Sequence, residues 1–108
     1  MKILPLLLAL NLVGCAVTPL TEEEIGAKPD EKVVEYTLKA WLDRNLKDPE
    51  SAKIMIGKPQ LDRYRGWVVC ALVNAKNNYG GYIGYEGYRM TYRGNLLDSI
   101  YPLHYNGC

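Results

Sequence analysis

Trp67-Val68-Val69-Cys70-Ala71-Leu72-Val73-Asn74-Ala75 is almost continuously apolar, and Tyr82 to Tyr92 follows it across a turn at Tyr79-Gly80-Gly81. A short apolar run rich in valine, with Arg65-Gly66 before it as a tight turn, is what a central strand covered on both faces requires. In the next segment, alternation places Tyr82, Glu86, Tyr88, Met90 and Tyr92 on one face and Ile83, Tyr85, Arg89 and Thr91 on the other. Gly84 and Gly87 inside that segment point to a bulge or to close approach of a helix. Gly94-Asn95 turns the chain again, and Leu96 to Tyr101 reads as a last strand before Pro102. Upstream, Lys53 to Tyr64 is interrupted by Gly57 and Pro59, so it is either an edge strand or two short pieces.

Before the strands the period changes. Val34, Leu38, Trp41, Leu42 and Leu46 fall on one stripe of a helix. Asp30 stands at its N-cap and Glu31 in its first turn, where the helix dipole favours a negative charge. Pro49 ends the helix at or before Asp48, and Asp48-Pro49-Glu50 can open a short helical turn of its own. The fold class is therefore α+β over residues 30–108. One N-terminal amphipathic helix packs on a small antiparallel meander sheet of three or four strands. Trp41 shares the stripe of Leu38 and Leu42, so it is expected against the sheet.

The N-terminus carries a different message. Met1-Lys2 is a short positive start, and Ile3 to Val13 is an apolar run broken only by Pro5 and Asn11. A helix needs about 20 residues to cross a bilayer, so this run has the length of a signal-peptide core rather than of a membrane span. It ends in Leu12-Val13-Gly14-Cys15, which resembles the bacterial lipobox. That resemblance makes residues 1–14 a signal peptide and Cys15 the lipidated, palmitate-bearing first residue of the mature chain. Residues 15–29, with two prolines and a glycine, read as the lipidated cysteine and a flexible tether. Ala16 after the cysteine implies, by the same resemblance, an outer-membrane lipoprotein facing the periplasm. The membrane is thus the first partner, reached through the lipid anchor on Cys15.

Cysteine usage is consistent with export. Lipidating Cys15 leaves Cys70 and Cys108, and such a pair in an oxidising compartment is expected to form a disulfide. It would close a loop of about 40 residues, worth roughly 3–4 kcal/mol in the chain-entropy model. With 108 residues there is room for one domain, and one this small has little stability to spare. Lys+Arg number 13 against 12 Asp+Glu, and Lys2 lies in the segment to be removed, so the mature chain is neutral. Without a basic excess there is no counterion release to draw on, which argues against nucleic acid.

Leu46-Lys47-Asp48-Pro49-Glu50-Ser51-Ala52 and the stretch Val69 to Gly84, containing Val73-Asn74-Ala75-Lys76-Asn77-Asn78-Tyr79-Gly80-Gly81-Tyr82-Ile83-Gly84, are the most distinctive parts of the body. They resemble a family of small, largely uncharacterised bacterial exported proteins with DPxSA and VNAKNxxGGYxG elements. Members often carry Ser-Phe where this chain has Asn78-Tyr79. The resemblance implies export and neither a reaction nor a ligand.

Two readings of the second element stand side by side. Asn and Gly tolerate positive φ, and Asn side chains satisfy turn backbones, so it can be simply a turn between strands. Alternatively Asn74, Lys76, Asn77, Tyr79, Tyr82 and Tyr85 form a polar and aromatic binding surface for a protein partner or a glycan such as peptidoglycan. Catalysis finds little support. His104 is the only histidine and has no ligand-like spacing around it, so no metal or cofactor is expected. Ser51 and Ser99 have no base near them in sequence, and Glu22-Glu23-Glu24 reads as a solvated run in the tether. The expectation is a non-enzymatic envelope lipoprotein, tethered for protein interaction or envelope assembly, with glycan binding as the alternative.

Replacing the acceptor thiol tests the anchor. Cys15→Ala is expected to abolish incorporation of radiolabelled palmitate and to leave uncleaved precursor; label persisting in the variant would contradict it.

Overall fold

A computed structural model describes residues 17–103 of the chain; residues 1–14, expected as a signal peptide, and Cys15, His104 and Cys108 lie outside them. The architecture is α+β, one main helix on an antiparallel sheet of five strands. In chain order come α1 (Glu22–Ile25), α2 (Glu31–Asn45) and a 3-10 turn at Pro49–Ser51. The strands follow: β1 (Lys53–Ile56), β2 (Gln60–Asp62), β3 (Gly66–Asn74), β4 (Glu86–Arg93) and β5 (Leu96–Pro102). The order across the sheet is β1-β3-β4-β5, with β2 pairing the same side of β3 as β1.

The sheet has more strands than the three or four expected, and the reason lies in its edge. Lys53 pairs with Asn74 and Ile56 with Ala71, but Gln60 pairs with Val68, a register one residue out of step. The intervening Gly57-Lys58-Pro59 absorbs the extra residue, and a proline there has no N–H for the ladder. Asp62 closes the turn into β3 by accepting from the N–H groups of Tyr64 at 2.8 Å and Arg65 at 3.0 Å. The Tyr64 bond is the main reason its carboxyl sits below the usual range.

β3 is the central strand, and its alternation defines the core. Val69, Ala71 and Val73 face α2 together with Tyr88, Met90 and Tyr92 of β4, which stand opposite Ala71, Val69 and Trp67 respectively. The helix contributes Val34, Leu38 and Leu42, all buried. Tyr92 is completely buried, and burial raises its phenol above the ordinary value. Thr37 Oγ1 reaches the Val33 carbonyl at 2.8 Å and is hydrogen-bonded to the Tyr92 hydroxyl, where either group can donate; the Tyr92 hydroxyl also lies 3.6 Å from Met90 Sδ. A buried hydroxyl left unpaired would cost about 1–3 kcal/mol, so this bond fixes where along the helix Tyr92 sits. Trp41 is half-buried and meets Tyr88 edge-on, centroids 5.3 Å apart at 68°.

The helix begins at Glu31 with Asp30 at the N-cap position, but the Asp30 side chain caps nothing. Its backbone N–H instead donates to Asn95 Oδ1 at 2.9 Å. β4 starts at Glu86 rather than Tyr82, because Gly84 adopts φ +104°, outside the strand region; only a lone bridge pairs Lys76 with Tyr82. Glu86, Tyr88, Met90 and Tyr92 do share a face as expected, whereas Tyr82 and Ile83 precede the strand.

Much of the stretch expected as tether is folded. Thr21 and Glu24 form a capping box at the start of α1, each side chain accepting from the other's backbone N–H. Ile25 is buried, its carbonyl accepts from Gly94 N–H at 2.8 Å, and the Gly26 carbonyl accepts from Trp67 Nε1 at 3.1 Å. A Cβ on Gly26 would lie 2.9 Å from the Gly94 nitrogen, so the β4–β5 turn and the segment after α1 touch backbone to backbone. Leu20 N–H also bonds to the Arg63 carbonyl at 2.7 Å. From Leu20 onward the chain belongs to the domain.

Trp41→Ala removes an edge-on aromatic contact and part of the cover over Tyr88. A loss of about 3 kcal/mol is expected, the low end for a buried aromatic because Trp41 is only half-buried. Thermal unfolding followed by circular dichroism reads it, and an unchanged midpoint would contradict the assignment.

Candidate interaction surface

The β3–β4 connection, residues 75–85, is built around two asparagines. Asn77 Oδ1 accepts from Tyr79 N–H at 2.9 Å and Gly81 N–H at 3.1 Å, and Asn77 N–H donates to the Gly81 carbonyl at 2.8 Å. Asn74 Oδ1 accepts from Gly84 N–H at 3.0 Å, across the base of the loop. Both carboxamide oxygens are therefore committed to the loop's own backbone, as in an Asx turn. Of the six residues singled out in the sequence, Asn74 and Asn77 build the surface and the other four furnish it.

Those four differ in freedom. Tyr79 stands 96% exposed at the tip, and Ile83, not singled out before, is 66% exposed. Tyr85 is also exposed. Tyr82 is held: its hydroxyl donates to the Ser51 carbonyl at 2.9 Å, which ties the loop to the 3-10 turn. Its ring lies under two ammonium groups, Lys53 Nζ at 4.3 Å from the centroid and Lys76 Nζ at 5.6 Å. Cation–π contacts at such exposed sites contribute about 0.5–1 kcal/mol each. Lys53 and Ser51 were invisible as partners of Tyr82 in the sequence, because 29 and 31 residues separate them from it and no local pattern encodes a contact of that range. Tyr88, by contrast, is buried beneath α2 and belongs to the core.

The two distinctive elements of the sequence thus meet in space: Asp48 to Ala52 supports the loop from below through Ser51. Ser51 Oγ itself donates to the Asp48 carbonyl at 2.8 Å, and Ser99 Oγ bonds to Thr91 Oγ1. Each serine therefore has a structural partner. A recess of about 120 Å³ lies under the loop, lined by Leu46, Val73, Ile83 and Tyr88 among others. It is well short of the roughly 300 Å³ at which small-molecule pockets begin. Among the described residues no cluster of His, Cys, Asp and Glu could hold a metal ion, and no helix is long and apolar enough to cross a membrane.

Cys70 sits mid-strand in β3, opposite Arg89, and is disulfide-bonded. Cys15 and Cys108, the other two cysteines, lie outside the described residues, as does His104. No protein family, no curated protein and no solved structure matches this chain.

Asn77→Ala deletes the acceptor shared by two loop amides. Hydrogen exchange of the Tyr79 and Gly81 N–H groups should accelerate about tenfold, the equivalent of about 1.4 kcal/mol, while β3 and β4 amides keep their protection. Equal exchange in the two proteins would show that the side chain does not hold the turn.

Proposed function

We propose that the protein is a non-enzymatic lipoprotein of the bacterial envelope, anchored through Cys15 in the outer membrane, whose domain faces the periplasm and engages a protein partner. The observation that carries this reading is the display of Tyr79, Ile83 and Tyr85 on a loop whose backbone is already satisfied from within. Exposed aromatic and aliphatic groups that serve no core, on a rigid support, are the raw material of protein contacts. A glycan platform is less well served. Sugars need a free aromatic face and free amide groups, whereas Lys53 lies over the Tyr82 ring and the Asn74 and Asn77 oxygens are occupied.

Export and the disulfide fit the same reading. A lipidated Cys15 has no free thiol, which leaves Cys108 to pair with Cys70. Leu103 N–H bonds to the Gly87 carbonyl, and Gly87 stands opposite Leu72, two residues from Cys70. Five further residues reach about 17 Å, enough to return to Cys70.

A photo-crosslinking amino acid at position 79, introduced into the full chain in living cells, tests the function. A discrete protein adduct that disappears on Ile83→Ser and Tyr85→Ser is expected. Absence of any protein adduct, together with retention of the lipoprotein on purified peptidoglycan, would overturn the reading in favour of glycan binding.

A further inference from the structure

A second surface lies between α2 and the outer edge of β1. Three hollows of about 320, 380 and 430 Å³ run in file there. The first two share Glu35 and Ile56, and the last two share Lys39, Ala52 and Ile54, so they form one groove. Its floor is apolar, with Val34, Leu42, Ile54 and Ile56. Its helix wall is Glu31, Glu35, Lys39 and Asp43, four residues apart and hence stacked along one flank. Glu50 and Lys58 stand towards its two ends. Carboxylates outnumber ammonium groups, and Lys39 is already paired with Glu35 at 3.1 Å.

The strand wall is an open β edge. Gly57 N–H donates to the Cys70 carbonyl at 2.8 Å. In an antiparallel ladder the pairs that exchange hydrogen bonds recur at every second residue. Lys53, Met55 and Gly57 therefore bond towards β3, and the N–H and C=O groups of Ile54 and Ile56 point away from it. No described strand pairs with that side of β1.

We propose that this groove takes an extended peptide of a partner protein, added as a strand to β1, with Arg or Lys at alternate positions. Backbone bonds to Ile54 and Ile56 would supply the attachment common to strand addition, and side chains would supply the selection. Residues on the helix side of the added strand would lay aliphatic stems over Ile54 and Ile56 and carry their cationic heads to Glu31, Glu35 and Asp43. Lys58 and Pro59 limit the edge to the length of β1, about 13 Å at 3.3 Å per residue, which suits a short segment and discourages open-ended sheet growth. The inference rests on the reading of the domain as a partner-binding module but uses a surface separate from the β3–β4 loop.

The test uses the detergent-solubilised full-length lipoprotein and a fluorescent octapeptide of alternating Arg and Val, read by anisotropy. Saturable binding is expected, weakened at least tenfold in the Glu31→Lys, Glu35→Lys double variant, whose positions are both exposed. An octapeptide with Glu in place of Arg, and one N-methylated at alternate amides, should each bind at least tenfold more weakly. Hydrogen exchange at Ile54 and Ile56 should slow in the complex. Failure of the Arg-Val peptide to bind, equal binding of the N-methylated peptide, or unchanged exchange at Ile54 and Ile56 would each overturn strand addition. Tyr79→Ala should leave peptide binding unaltered. A protein that fails these tests yet keeps its crosslink at position 79 loses this inference alone, and the converse result removes the loop reading alone.

Discussion

Val34, Leu38 and Leu42 of α2 lie on Val69, Ala71 and Val73 of β3 and on Met90 and Tyr92 of β4, and every one of these side chains is buried. The helix is held there by more than apolar area, since the hydrogen bond between Thr37 and Tyr92 ties it to β4 at one point along its axis. Sliding the helix by one turn would break that bond and leave the buried phenol only the weak sulfur acceptor of Met90, while the apolar stripe alone would tolerate the shift. The rest of the structure is arranged around that placement. Trp41 closes over Tyr88, Leu46 brings the chain down beside Val73, and the 3-10 turn at Pro49–Ser51 then falls where Tyr82 can reach it.

The same placement leaves one flank uncovered. α2 is centred on the two long strands, so the short edge strand β1 receives only part of its shelter, and Ile56 remains 38% exposed. An edge strand with an unfinished apolar neighbour is a liability, because its free backbone groups can pair with another chain. Here the kink at Gly57-Lys58-Pro59 and the charges of Lys53 and Lys58 bound that liability without removing it. At the opposite end the chain is closed more firmly. Ile25, Gly26 and Asp30 are bonded to Gly94, Trp67 and Asn95, so the segment that precedes α2 is part of the folded unit.

So small a domain has to be stable with a short core and still hold an exposed loop in shape. The domain must be stable with few core residues, and the disulfide at Cys70 contributes by restricting the unfolded chain. Display of aromatic groups requires a loop that does not collapse onto the core. Asn74 and Asn77 meet that need by taking up loop N–H groups that would otherwise seek other partners.

The sequence by itself determined the main helix and the antiparallel strands that follow it, because those signals are local, but not the strand count or α1. Period 3.6 marks α2, the apolar run marks β3, and Gly94-Asn95 marks the last turn. It also held a sign of α1 in Thr21-Glu22-Glu23-Glu24, the spacing of a capping box, obscured by the prolines and acidic run around it. The tertiary structure alone decided which flank of α2 stays open, which asparagines are occupied, that Lys53 covers Tyr82, and that residues 20–30 are docked. Each of these depends on strand register and on contacts between residues distant in sequence. Such contacts arise from the packing of whole elements, and no short window of sequence records them.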